Sequence, residues 1–145
     1  MKRSRRRLAL LAAAFVPVFT LAACGESEAE KAKAQVCHSR SEIEKSVASL
    51  KNLPLSTDAF STAKDDFESI LAELKKISEA EPKLEPSIRG KVESAQSEFK
   101  STVLSITGEL ATGIATSGSA SKKLSDAVKK LGESYKKTLA SIDCP

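Results

Sequence analysis

The chain of 145 residues has no tryptophan, one histidine, and a single methionine at its start. Aromatic residues make up 4% of it. A core built without tryptophan and with so few rings must rely on Leu, Ile, Val and Ala. The lone histidine, His38, excludes a multi-histidine metal centre, since a metal site needs three or four suitable ligands. His38 beside Cys37 is not a nucleophile–base pair either, because neighbours in sequence do not give the required geometry. The six glycines form no phosphate-cradling loop, and no GxSxG elbow is present. Gly108, Gly113 and Gly118 are five apart, a spacing suited to helix ends and turns. Residues 58–66 lack the glycine of a calcium loop. No stretch alternates apolar and polar residues at period two, so no strand pattern competes with helix.

Positive charge is abundant but unevenly placed. The formal net charge is +4, from 23 Lys and Arg against 19 Asp and Glu. Five of the basic residues are Lys2, Arg3, Arg5, Arg6 and Arg7. An uncharged apolar run, residues 8–21, follows them. A basic start, an apolar stretch and small residues ahead of a cut site describe a removable secretory signal, which is left out of fold reasoning. The run is short of the roughly 20 residues needed to span a membrane. Without residues 1–23, 18 basic residues face 19 acidic ones, a formal charge of −1. Basicity therefore belongs to the leader, and nucleic acid is not an expected partner, because a binder carries its basic patch in the folded domain.

The leader ends in Leu21-Ala22-Ala23-Cys24-Gly25. These residues resemble the lipobox of bacterial lipoproteins. The resemblance covers about the first 25 residues and implies that Cys24 becomes the mature N-terminus, carrying diacylglycerol and often an N-acyl chain. It implies an anchor on the outer face of the cytoplasmic membrane and no cofactor beyond that covalent lipid. Ser4-Arg5-Arg6-Arg7-Leu8 also resembles a twin-arginine export signal, although Ala9 stands where a second bulky residue is usual. The Arg-rich, alanine-rich leader is similar to those of high-GC Gram-positive bacteria.

With Cys24 lipidated, Cys37 and Cys144 remain, in an oxidising compartment where disulfides persist. A bridge between them is expected. Residues 24–35 read as the lipidated cysteine and a short tether, and residues 36–145 as the folded domain.

Four amphipathic segments fill that domain. Helix one is expected over about residues 30–51, with Val36, Ile43, Val47 and Leu50 on one face. Its start is ambiguous: Ser27/Glu30, Ser39/Glu42 and Ser41/Glu44 all have capping-box spacing. Helix two is expected over about residues 57–78, capped by Ser56 and stapled by Leu55 and Phe60. Phe60, Ala63, Phe67, Ile70, Leu74 and Ile77 form its stripe, widened by Leu71. A loop at residues 79–85 leads to Pro86 in the first turn of helix three. Ile88, Val92, Ala95, Phe99, Val103, Ile106 and Leu110 share a face there. Residues 112–121 read mostly as a connection. Helix four is expected over about residues 119–142, with Leu124, Val128, Leu131, Tyr135, Leu139 and Ile142 inward.

The expected fold is an all-α, up-down-up-down four-helix bundle; the alternative is a helical hairpin dimerising as a coiled coil. The cysteines favour the bundle. With antiparallel neighbours, the start of helix one meets the end of the last helix only if the helix count is even.

Surface candidates are few. Lys122-Lys123, Lys129-Lys130 and Lys136-Lys137 repeat every seven residues and line one face of helix four, since a heptad drifts only about 20° around the axis. That face is either ordinary solvated surface, with Asp126 and Glu133 in supporting i,i+4 pairs, or a contact for anionic lipid heads or wall polymers. Helix two is acidic by contrast. Asp65-Asp66 and Glu79-Ala80-Glu81 read as solvated carboxylates rather than an acid–base pair. Tyr135 reads as core, its hydroxyl needing a partner. No catalytic constellation emerges. The expected role is therefore non-enzymatic: a membrane-anchored binding or accessory lipoprotein of the envelope, its partner a protein, wall polymer or lipid. The alternatives are a carrier of an apolar ligand between the helices and, less favoured, an enzyme using His38 or the carboxylates.

Overall fold

The computed structural model describes residues 25–53, 59–113 and 120–145. Within them the chain forms α1 (Glu28–Lys51), α2 (Ala59–Ala80), a 3-10 turn (Glu81–Lys83), α3 (Pro86–Gly113), α4 (Ala120–Lys137) and a second 3-10 turn (Leu139–Ser141). Each helix packs antiparallel on its chain neighbour, and α4 closes on α1. The result is a four-helix bundle without strands among the described residues.

The first of the three capping-box candidates is the one used. Ser27 Oγ accepts from the Glu30 backbone N–H at 3.1 Å, and Glu30 Oε2 accepts from the Ser27 N–H at 2.7 Å. That backbone hydrogen bond, with the Ser27 hydroxyl, holds the Glu30 carboxyl below its usual value. Tertiary packing explains the choice. Ala32 and Val36 are buried, and a helix starting at Ser39 or Ser41 would strip both from the core. Most of the stretch expected as tether is therefore helix, and Gly25, Glu26 and Ser27 alone separate residue 24 from α1.

The apolar stripes hold. Every stripe residue named above is buried except Phe60, Leu71 and Ile88, which pack half-buried against the core. The proposed cap Ser56 and the staple residue Leu55 lie outside the described residues. Leu104, half exposed, is the one large apolar side chain that faces out among the described residues.

Two features depart from the periodic reading. The α2–α3 connection is structured rather than loose. Leu84 within it is 2% exposed, and Arg89 Nη2 donates to the Pro82 and Leu84 carbonyls at 2.9 and 2.8 Å. The α-helix of the fourth segment also stops at Lys137 instead of reaching Ile142. Thr138 Oγ1 donates to the Ser134 carbonyl at 2.7 Å, and Ser141 Oγ to the Thr138 carbonyl at 2.6 Å. Such side-chain bonds compete with the helical ladder. Thr138 takes φ −107°, ψ −86°, outside the helical region. The following 3-10 turn still buries Leu139 and Ile142.

Candidate functional site

The side chains with the most specific arrangement lie where α1 meets α4. Cys37 and Cys144, 107 positions apart in sequence, are bridged, with Cα atoms 5.6 Å apart. The even helix count and the bridge thus occur together, as the parity argument requires. Close to the bridge, Arg40 Nη1 donates to the Ile142 carbonyl at 2.6 Å. One turn along α1, Glu44 Oε2 accepts from the Tyr135 hydroxyl at 3.2 Å. The Tyr135 ring meets Phe99 edge-on, with centroids 5.9 Å apart. Burial, reinforced by the Glu44 carboxylate, pushes the Tyr135 phenol up to about 12. Tyr135 is therefore a core residue with a satisfied hydroxyl.

Further along the same seam α1 and α4 part, leaving a groove of about 410 Å³. Leu50, Leu124 and Val128 contribute to its lining, together with Lys51, Lys129, Lys136, Ser125 and Glu133. Gly132 lets the walls approach. A Cβ there would sit 2.6 Å from Lys51 Cε, so the Lys51 stem lies over the glycine.

The six heptad lysines of α4 are all exposed, and the last four of them divide into two columns. Lys130 and Lys137 lean onto α3, pairing with Glu109 at 3.7 Å and Glu98 at 2.9 Å. Donating that hydrogen bond to the Glu98 carboxylate raises the Lys137 pKa. Lys129 and Lys136 turn the other way, into the groove. Neither they nor Lys51 forms an ion pair among the described residues, and the expected i,i+4 pairs with Asp126 and Glu133 are not made.

A second groove, of about 400 Å³, opens between the first half of α2 and the last half of α3. Phe60, Phe67, Leu71 and Leu110 line it, with Lys64 and Glu68 at its edge.

The other sequence candidates scatter. His38 is exposed, and no group of three His, Cys, Asp or Glu among the described residues could hold a metal. Asp65 is exposed and Asp66 half-buried; Glu79 is exposed and pairs with Lys75 at 3.9 Å. Cys24 lies outside the described residues. Among those residues no helix is long and apolar enough to cross a membrane. Sequence reasoning did not find Arg40, Glu44, Lys51 or Gly132, nor Glu73, which is 8% exposed and takes a 2.6 Å contact from Lys76. The i,i+4 spacing of Arg40 and Glu44 was visible, but not their turn toward α4. No protein-family model, characterised protein or solved structure matches the chain.

Proposed function

We propose that this protein is a membrane-anchored extracytoplasmic lipoprotein with a non-enzymatic, binding or accessory role in the cell envelope. The observation that carries the reading is Leu21-Ala22-Ala23-Cys24 after a basic start and an uncharged apolar run. Each buried CH₂ adds about 0.8 kcal/mol, so two or three acyl chains on Cys24 hold a protein firmly. Three residues, Gly25 to Ser27, separate Cys24 from the bundle, which keeps it close to the membrane. The disulfide is in keeping with an oxidising compartment. Export proceeds through the general or the twin-arginine route, and the envelope is of the Gram-positive type.

Cys24→Ala tests the anchor. The variant is expected in the soluble fraction, whereas the parent chain pellets with membranes and gains the mass of a diacylglyceryl group. Retention of the variant on the membrane overturns the reading. Turnover of a wall or lipid substrate by the purified chain, abolished by one substitution, overturns its non-enzymatic part.

The α2–α3 groove favours a second reading, a carrier of an apolar, lipid-like ligand. Native mass spectrometry of the purified chain should then show a bound small molecule, lost in Phe67→Asp. A ligand-free mass rejects it.

A further inference from the structure

We infer that the α1–α4 groove is a binding site for a linear, phosphate-bearing polyanion. The inference names a partner chemistry for the binding role proposed above, but it stands on Lys51, Lys129 and Lys136 and not on the anchor. Failure of one therefore leaves the other intact.

Three observations converge. The first is charge. Lys51, Lys129 and Lys136 face the groove against one carboxylate, Glu133, so the lining has a formal excess of +2. The mature chain as a whole is near neutral, which makes this a local concentration and not a general basicity. The second is the absence of internal partners. Helix α4 pairs Lys130 and Lys137 with α3 carboxylates, yet its Lys129 and Lys136, like Lys51 of α1, form no ion pair among the described residues. The third is shape. The lysines stand on two walls of a concave groove rather than on a convex face, and Gly132 lets Lys51 reach across from α1.

Lys129 and Lys136 are seven residues apart, about 10 Å along the helix axis. That separation reaches successive charges of an extended chain, not one compact anion. Lys51 contributes from the opposite wall, and the Ser125 hydroxyl can donate to a phosphoryl oxygen. The Leu50, Leu124 and Val128 side chains beneath lower the local dielectric, which strengthens each charge-assisted hydrogen bond. Membrane headgroups fit less well. Lys51 is 23 residues up α1 from Glu28, about 35 Å along the axis from the end nearest Cys24. With the bundle axis normal to the membrane, that distance is several Debye lengths at physiological salt.

The test uses the purified full chain in non-ionic detergent, with inorganic tripolyphosphate as the probe, followed by calorimetry and by lysine ε-ammonium NMR. Lys51, Lys129 and Lys136 are replaced together by Gln. Lys123, Lys130 and Lys137 are replaced by Gln in a second variant with the same change of net charge. The expected result is saturable binding by the parent, weakened about tenfold or more by the first set and less than about twofold by the second. Binding should also fall as salt is raised. Equal weakening by both sets overturns the inference, because only overall charge would then matter. No saturable binding by the parent also overturns it. If micelles doped with phosphatidylglycerol shift the groove lysines and tripolyphosphate does not, the face belongs to the membrane and the inference falls.

Discussion

Arg40 and Ile142 join the two ends of the folded chain by a 2.6 Å hydrogen bond, three residues after Cys37 and two before Cys144. The covalent bridge and this bond restrain the same pair of segments. They are reinforced by buried Leu139 and Ile142.

Reduction should therefore weaken the bundle without releasing its last segment. Closing a loop of about 100 residues contributes at most about 4.7 kcal/mol in the chain-entropy model, and 2–4 kcal/mol is typical. Cys37→Ser with Cys144→Ser is expected to lower unfolding free energy by about 2–4 kcal/mol in urea, with far-UV circular dichroism unchanged in buffer. Mass spectrometry of the parent with and without reductant should differ by two hydrogens. Two free thiols in the unreduced protein would refute the bridge.

Tyr135 is the chain's one tyrosine, so a near-UV phenolate titration reports it alone. The expected midpoint is about 12 in the folded protein, against about 10 in denaturant. The sign follows from proton binding. Between these values the native state holds a proton that the unfolded state has lost, so stability falls as pH rises. The contribution is complete below about pH 10 and is lost as pH passes through about 12. Tyr135→Phe should remove this alkaline loss, at a cost of roughly 1.5–3 kcal/mol for the bond to the Glu44 carboxylate. A midpoint of 10 in the folded chain would mean that the hydroxyl faces water.

Phe99 and Leu104 lie on one helix with opposite exposures, 0% and 50%. Phe99→Ala opens a cavity among Tyr135 and its neighbours and should cost about 3–5 kcal/mol. Leu104→Ala should change stability by less than about 0.5 kcal/mol. Chemical denaturation of the two variants checks the rotational setting of α3. Comparable losses would mean that α3 is turned from its described face.

Gly132→Ala places a methyl group in the path of Lys51 Cε. That atom is near the end of a flexible, exposed side chain and can swing aside. Removing a glycine from a helix interior contributes up to about 1 kcal/mol. Thermal unfolding should therefore show a more stable variant, while the displaced Lys51 weakens tripolyphosphate binding. A destabilised variant would show that the α1–α4 approach is closer and stiffer than a lysine stem allows.

The rotation of each helix was legible in the sequence because burial repeats along it. Phe67, Ile70, Leu74 and Ile77 could share a face in no other way, and the cysteine positions decided the parity of the bundle. The start of α1 was not legible, since three serine–glutamate pairs offer the same local hydrogen bonds and only the burial of Ala32 and Val36 separates them. Nor was the end of α4. The stripe through Tyr135, Leu139 and Ile142 continues inward while the backbone leaves the α-helix at Thr138. The lysine face was visible as a heptad repeat. Its division into a paired and an unpaired column was not, because the partners Glu98 and Glu109 sit on another helix. Leu84 and Arg89 escaped notice because loop packing has no period to read.

The bridge also has a mechanical meaning. The first described residues and Pro145 leave from the same end of the bundle, and a covalent bond joins Cys37 to Cys144 just inside them. Tension applied between the two chain ends runs through the first nine residues of α1, crosses the disulfide and leaves by Pro145. Everything from His38 to Asp143 hangs as a closed loop beside that load path. Traction at the termini can peel the start of α1, but it cannot pull the four helices apart.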